Sequence, residues 1–165
     1  MLDLLPDLFD NYADKLTLLP PMFKSYGGAN FFSGQVVTVK CFRDNSKVKE
    51  LLAQDGTGKV LVVDGQGATD CALMGDMIAE SAARNGWHGV VIFGCVRDVA
   101  TLKTIALGIQ AIGANPIKTE KKGVGEINIA VEIYGVTISP HSYIYADANG
   151  VAVSNEALDT SVLNL

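Results

Sequence analysis

The sequence lacks a long apolar run, and its first residues lack the positive charge of a targeting segment. No apolar stretch approaches the roughly 18 to 20 residues that a helix needs to cross a membrane. The N-terminal residues include Asp3, Asp7 and Asp10, whereas a secretory signal peptide begins with Lys or Arg. These two absences predict no membrane association and a soluble, cytoplasmic protein.

Cysteine is also scarce, with Cys41, Cys71 and Cys95 spread widely along the chain. An odd number of cysteines without a Cys-x-x-Cys pair indicates neither a disulfide framework nor a zinc site. We therefore expect buried, reduced thiols at these positions.

Basic residues are in the minority, with 13 Lys and Arg against 18 Asp and Glu, a net charge of −5 and a pI of about 4.9. Direct, non-specific binding to nucleic acid requires clustered Lys and Arg that neutralise phosphates, so this charge balance disfavours it. Any link to RNA is expected to run through a protein partner.

Hydrophobic residues make up 48% of the chain, which is typical of a globular protein. A length of 165 residues predicts a single domain, residues 1–165, with its own core. Predicted strands first alternate with helices and later follow one another directly. This order predicts an α/β domain with a mixed sheet.

The central stretch has the clearest pattern. Residues 60–63 and 89–93 are short, β-branched apolar runs, and the second is predicted to stop at Gly94. Between them, an amphipathic helix is predicted to begin near Gly75, from an apolar face at helical spacing: Met74, Met77, Ile78 and Ala82.

The remaining elements are predicted from periodicity and turn residues. Helices are expected at residues 4–13, 46–54, 99–106 and 155–158, and strands at residues 35–42, 108–112, 128–134, 135–138, 143–146 and 151–153. The basic stretch 118–122 is interpreted as a solvated loop.

Two strands joined by a helix are expected to be parallel, so the segments that follow them meet at one edge of the sheet, where sites gather. Free amides at the start of the helix suit a small anion. Arg97 and Asp98 follow the second strand, and these side chains suit a carboxylate and a hard cation, respectively. Taken alone, an Arg-Asp pair is more often a surface turn or salt bridge, and Asp98 could simply cap the next helix.

The spacing of Asp76, twenty intervening residues and Arg97-Asp98 resembles the signature of the divalent-metal 4-hydroxy-4-methyl-2-oxoglutarate aldolases. Residues 62–65, 108–111 and 145–147 resemble the same superfamily, which includes the regulators of ribonuclease activity A (RraA). The similarity extends over residues 10–158. It implies a single-domain ββα sandwich like that of swivelling phosphohistidine domains, and a ring-shaped homotrimer.

The resemblance also implies a role for each candidate residue. Asp98 would hold Mg²⁺ or Mn²⁺, Arg97 would bind the substrate and steady the enolate oxygen, and Asp76 would orient a water for proton exchange. The helix-start amides would receive the carboxylate of the 2-oxo acid substrate: Gly75, Asp76, Met77 and Ile78.

Two functions stay open at this point. One is a metal-dependent lyase that cleaves 4-hydroxy-4-methyl-2-oxoglutarate to pyruvate and decarboxylates oxaloacetate through the same enolate. The other is a non-enzymatic regulator that binds and inhibits ribonuclease E. Many of the aldolases carry an acidic residue where this chain has Thr101, which leaves the natural substrate open. The glycine-rich residues 65–70 end in Asp70 where a dinucleotide fingerprint has Gly or Ala, so no nucleotide cofactor is predicted.

Overall fold

The computed structural model describes residues 3–161 and Leu163. The helices are α1 (Leu5–Tyr12), α2 (Ser46–Leu52), α3 (Asp76–Arg84) and α4 (Val99–Leu102). The strands are β1 (Thr17–Leu18), β2 (Lys24–Ser25), β3 (Phe31–Lys40), β4 (Lys59–Asp64), β5 (Ala72–Met74), β6 (Gly89–Val96), β7 (Gly108–Ala114), β8 (Glu126–Ile127), β9 (Val131–Ile133), β10 (Val136–Ile138), β11 (Tyr143–Asp147) and β12 (Gly150–Ser154).

One large mixed sheet organises the molecule, as predicted. Its strands lie in the order β1-β12-β11-β3-β4-β6-β7-β2, with β5 paired to β6 and β8 paired to β3. The central strands β3, β4, β6 and β7 run parallel, and the flanking strands are antiparallel. Strands β9 and β10 form a separate hairpin.

The apolar run of β4 is continuous because both faces of the central sheet are covered. Leu61 and Val63 pack towards α2 and α3 in one cluster, whereas Val60 and Val62 pack towards β9 to β12 in a second cluster. The predicted parallel pairing of β4 with β6 across the α3 crossover is confirmed. Among the described residues, no helix is long and apolar enough to cross a membrane.

Strand β5 was not predicted, and the placement of Met74 on the helix is wrong. Met74 lies in β5, which runs parallel to β6 with Ala72 opposite Cys95 and Met74 opposite Val96. The apolar run before Gly75 is compatible with a strand and with a helix face. It forms a strand because it pairs with β6. Strand β6 also continues through Gly94 to Val96. Its pairing with β7 shifts register between Ile92 and Cys95, so the strand continues past this glycine.

Other element boundaries differ for local reasons. The strand predicted at 35–42 runs from Phe31 to Lys40, because its first half pairs with β11. The strand predicted at 128–134 is reduced to β9, since Asn128 and Tyr134 both have left-handed backbone angles. Residues 155–158 are not helical; instead the Leu158 N–H donates to the Tyr145 hydroxyl at 2.8 Å.

The ring of Phe32 packs on two strands that carry glycine where the ring lies. Phe32 is buried, and a Cβ atom on Gly89 or Gly108 would overlap its ring atoms. Through this contact, β3 packs against β6 and β7.

We therefore predict that Gly108→Ala lowers the free energy of unfolding by about 1–3 kcal/mol, because the ring must leave its place in a packed core. Denaturant-induced unfolding measures this change. Gly113→Ala in the same strand is the matched control, since its Cβ would lie 3.4 Å from Cys95 Sγ, an ordinary contact. Equal denaturation midpoints for the two variants would contradict the prediction.

Candidate active site

The ends of β5 and β6 bring the predicted site residues together. The backbone N–H of Arg97 donates to the Met74 carbonyl oxygen at 3.0 Å, which extends the pairing of the two strands. Gly75 follows Met74 and precedes α3, while Asp98 follows Arg97 and precedes α4. The two segments therefore leave the sheet side by side.

The Asp98 carboxylate links the two segments. Its Oδ2 accepts a hydrogen bond from the Asp76 backbone N–H at 3.0 Å and lies 3.8 Å from Arg97 Nε. The Arg97 and Asp98 side chains are 39% and 36% exposed. A long, exposed ion pair contributes little to stability. The guanidinium is consequently accessible to an anion from solvent.

Gly75 is required for this close approach. A Cβ atom at position 75 would lie 2.5 Å from Asp98 Oδ2 and 3.1 Å from Arg97 Nε. The backbone of Gly75 is extended, with φ of −125° and ψ of −162°, so space and not backbone angle makes glycine necessary. Any side chain here would push Asp98 and Arg97 away from the helix start.

Asp98 has a left-handed backbone, with φ of 59° and ψ of 39°. It occupies the position before α4, where a capping side chain would be expected, but its carboxylate makes no capping bond to that helix. It is turned towards α3 instead. The capping alternative is therefore wrong, and a sparsely populated conformation at an exposed carboxylate is typical of functional sites.

The helix-start amides are less open than the sequence suggests. The Asp76 N–H is already bound to Asp98, and the Ala79 N–H donates to the Gly75 carbonyl oxygen at 3.1 Å. Within residues 3–161 and 163, the amides of Met77 and Ile78 have no hydrogen-bond partner. These two amides remain for an incoming anion.

A cleft of about 390 Å³ opens beside this arrangement. Gly75, Asp76, Met77, Ile78 and Arg97 all line it; Asp98 does not, but its carboxylate accepts the amide of Asp76, which does. One carboxylate, that of Asp76, therefore faces a set of cationic side chains: Lys49, Arg84, Arg97, Lys118 and Lys121. The cleft is basic although the chain is acidic, which favours a small ligand with more than one negative charge.

Four of these cations were not expected to face the cleft. No role was predicted for Lys49 or Arg84, and Lys118 and Lys121 were predicted to lie in a solvated loop. Lys118 and Lys121 are exposed and lie in an irregular segment, as the loop interpretation predicted, but both also line the cleft beside residues of α2 and α3. No local sequence signal predicts this path.

The donors available to a metal ion are carboxylates. Among the described residues, no three His, Cys, Asp or Glu side chains gather into a metal-binding group. Mg²⁺ dehydrates reluctantly and is commonly held by one or two protein carboxylates and several waters. The single Asp98 carboxylate, held in place by the Asp76 amide, fits that mode of binding.

The glycine-rich loop after β4 has no open phosphate site. The N–H of Gln66 donates to Asp64 Oδ1, and those of Gly67 and Ala68 donate to the carbonyl oxygens of Phe93 and Gly65. The loop leads into β5 and not into a helix. This arrangement supports the rejection of a dinucleotide fingerprint.

The three cysteines are free and buried, as predicted. Burial raises the pKa of each thiol, and the pKa of Cys41 rises to about 12. A thiol with a raised pKa is a poor nucleophile. The cysteines are therefore part of the core and not of the site.

Comparison with known proteins agrees with the fold. The RraA-like family model, described as Aldolase/RraA, matches residues 3–153. A protein from Shewanella oneidensis with the provisional name 4-hydroxy-4-methyl-2-oxoglutarate aldolase is 58% identical over 99% of this chain and 100% of its own length. A Pseudomonas putida protein with the same provisional name is 56% identical over 93% of this chain and 94% of its own.

Two solved structures resemble the whole fold. The RNA-processing inhibitor RraA from Thermus thermophilis has a TM-score of 0.91 and 38% identity, covering 98% of both chains. A Geobacillus kaustophilus protein named as an S-adenosylmethionine:2-dimethylmenaquinone methyltransferase has a TM-score of 0.91 and 43% identity, covering 94% of this chain and 97% of its own. On the family match and on these identities, the chain belongs to the Aldolase/RraA family.

Proposed function

We propose that this protein is a divalent-metal-dependent lyase that cleaves 4-hydroxy-4-methyl-2-oxoglutarate to pyruvate and decarboxylates oxaloacetate. The observation that carries the proposal is the Asp98 carboxylate, held between the Asp76 amide and Arg97 at the side of a basic cleft. The provisional aldolase name of relatives more than 50% identical supports the same substrate.

Both reactions require the same groups. Breaking the C3–C4 bond of either 2-oxo acid leaves a pyruvate enolate, so the site must hold a carboxylate and stabilise an oxyanion. The open amides of Met77 and Ile78 receive the carboxylate beside the keto group, and the Arg97 guanidinium pairs with the enolate oxygen. A helix terminus contributes only about 0.3 to 2 kcal/mol, so the cations of the cleft supply most of the binding.

Asp98, with Asp76 beside it, is the residue that would hold Mg²⁺ or Mn²⁺. When bound, this ion supplies Lewis-acid stabilisation of the developing charge, worth several kcal/mol. Asp98 is already fixed in place by the Asp76 amide, so its oxygens need no reorganisation.

Asp76 is placed to move the proton. Its carboxylate lines the cleft while its amide is bound to Asp98. In aldol cleavage it receives, through an ordered water, the proton that the 4-hydroxyl group loses as C3–C4 breaks, and returns that proton to C3. In decarboxylation no hydroxyl proton is released, and C3 takes a proton from solvent by the same route.

A cytoplasmic homotrimer is part of the proposal. Met77 and Ile117 lie near the cleft and are 79% and 60% exposed, respectively. Exposed apolar side chains mark a protein contact where they form one continuous patch. The family resemblance suggests that this contact is with further copies of the chain.

We predict that Arg97→Ala and Asp98→Asn each lower kcat/KM for pyruvate release from both substrates by about 10² to 10³, since each removes a fixed charge at the reacting centre. Coupled lactate dehydrogenase measures the pyruvate, with Mg²⁺ and again with a chelator, which should abolish release. Binding of Mn²⁺, followed by electron paramagnetic resonance, should weaken in Asp98→Asn. Lys15→Ala is the control, because Lys15 is an exposed cation in an ion pair away from the cleft. Full activity in Arg97→Ala would refute the proposed mechanism.

We also predict that Gly75→Ala loses at least about tenfold in kcat/KM while its melting temperature changes little, because the added methyl group displaces exposed charges and not core atoms. Steady-state kinetics and thermal unfolding test the two halves of this statement. Gly113→Ala, where the methyl group has room, should keep the native rate. An active Gly75→Ala variant would show that the close approach to Asp98 is dispensable.

Regulation of ribonuclease E is the second candidate function. It is favoured by the 38% identity to an RNA-processing inhibitor over 98% of both chains. Acidic composition fits a protein that acts on the nuclease and does not bind RNA itself. The two functions are compatible, because a partner surface can lie outside the cleft.

Size-exclusion chromatography with light scattering separates these alternatives. The free protein should elute with three times the 17.5 kDa mass of the chain. If it regulates ribonuclease E, addition of the nuclease should give a larger complex with both the native protein and the inactive Arg97→Ala variant. Absence of a complex would count against regulation, and a monomeric mass against the trimer.

A further inference from the structure

The segment between β7 and β8 carries two of the cleft's cations without having regular structure of its own. Residues 115–125 form no helix and no ladder strand, and Lys118 makes only a single bridge to Ala72. Lys118 and Lys121 nevertheless line the cleft. An irregular segment of this length keeps such a path only when other residues anchor it.

Asp44 is the main anchor. Its Oδ2 accepts the backbone N–H groups of Lys122 and Val124 at 2.9 and 3.1 Å. Its Oδ1 accepts both the N–H and the hydroxyl of Ser46, and the same hydroxyl oxygen accepts the Gly123 N–H at 3.1 Å. Three consecutive amides directly after Lys121 are thus held by Asp44, which lies before α2, and by Ser46, its first residue.

Asn45 holds the other side of the same segment. Its Oδ1 accepts the Thr119 hydroxyl at 2.8 Å, and its Nδ2 donates to the carbonyl oxygen of Leu73 in β5 at 3.1 Å, two residues before Gly75. Asn45 and Thr119 are both buried. The segment is therefore anchored on both sides of Lys121, before it through Asn45 to β5 and after it to Asp44 and Ser46.

The contacts of Asp44 are those of a permanently charged group. It is 3% exposed, and it accepts four hydrogen bonds. Burial alone would raise its pKa, but the hydrogen bonds from Ser46, Val124 and Lys122 outweigh burial and lower the pKa to about 2. Asp44 is therefore ionised at neutral pH.

We propose that Asp44 and Asn45, the clasp, are positioning residues that set the affinity of the cleft for dianionic 2-oxo acids by holding Lys118 and Lys121 over it. The inference rests on the proposed function and adds to it the origin of substrate affinity. The clasp does not touch the reacting atoms. Loss of the clasp should therefore weaken binding of substrate and transition state alike, which raises KM and leaves kcat.

The test compares Asp44→Asn with Asp147→Asn. Asp147 is 1% exposed and accepts the amides of Leu4, Leu5 and Asn149, so it is an equally buried, amide-binding carboxylate far from the cleft. Both variants should melt at lower temperature. We expect Asp44→Asn to raise the KM for oxaloacetate about tenfold, equivalent to about 1.4 kcal/mol, with unchanged kcat. Asp147→Asn should leave KM unchanged. Thr119→Val, which removes only the two hydrogen bonds between the Thr119 hydroxyl and Asn45, is a milder version in case Asp44→Asn does not fold.

A double variant shows whether the clasp acts through the lysine. Lys121→Met should raise KM in the native background and add little to Asp44→Asn, because the lysine is already displaced there. Independent effects that multiply would overturn the proposal. So would a KM for Asp44→Asn or Thr119→Val no higher than that of Asp147→Asn.

Calorimetric binding of oxalate with Mg²⁺ separates this inference from the lyase proposal. Oxalate is a dianion shaped like the pyruvate enolate, and its affinity should fall in Asp44→Asn by the same factor as the rise in KM. If the native protein binds oxalate but releases no pyruvate, the lyase proposal fails. The role of the clasp is then tested by comparing the oxalate affinities of the native protein and Asp44→Asn. A native protein that binds no oxalate overturns the clasp as a determinant of anion affinity.

Discussion

The hydrogen bond between the Asp76 amide and the Asp98 carboxylate is the contact on which the candidate site depends. It joins the start of α3 to the end of β6, and it forms because Gly75 has no side chain to hold the two segments apart. The same bond uses one helix-start amide, leaves those of Met77 and Ile78 open, and turns Asp98 away from α4. The position of the Asp98 charge, the need for glycine at position 75 and the left-handed backbone of Asp98 thus all accompany the close approach of the segments that follow β5 and β6.

Patterns that are local in sequence predicted much of the fold. The run at 60–63 and the helix after Gly75 were recognisable because burial on both faces, or on one helical face, leaves a periodic signature. Strand β5 was missed because its three residues are too short for any period, and only pairing with β6 defines them. The strand at 128–134 was overestimated because alternation continues through two residues whose backbone angles are left-handed.

The site shows the same division between local and distant information. Gly75, Asp76, Arg97 and Asp98 were found because their spacing resembles a known signature. Lys118 and Lys121 were not predicted to line the cleft, because a short basic run is usually solvated. The neighbouring sequence does not indicate which residues bind this segment. The partner is Asp44, more than seventy residues earlier in the chain, and only the folded path brings the two together.

The contact between the first helix and Asp147 has a consequence for how the protein is made. The amides of Leu4 and Leu5 are satisfied by a carboxylate 143 and 142 residues later in the chain, and β3 needs β11 on one side. During synthesis the first helix and the third strand leave the ribosome long before these partners exist. The sheet therefore closes only after nearly the whole chain has emerged, and until then the early apolar strands have unpaired edges.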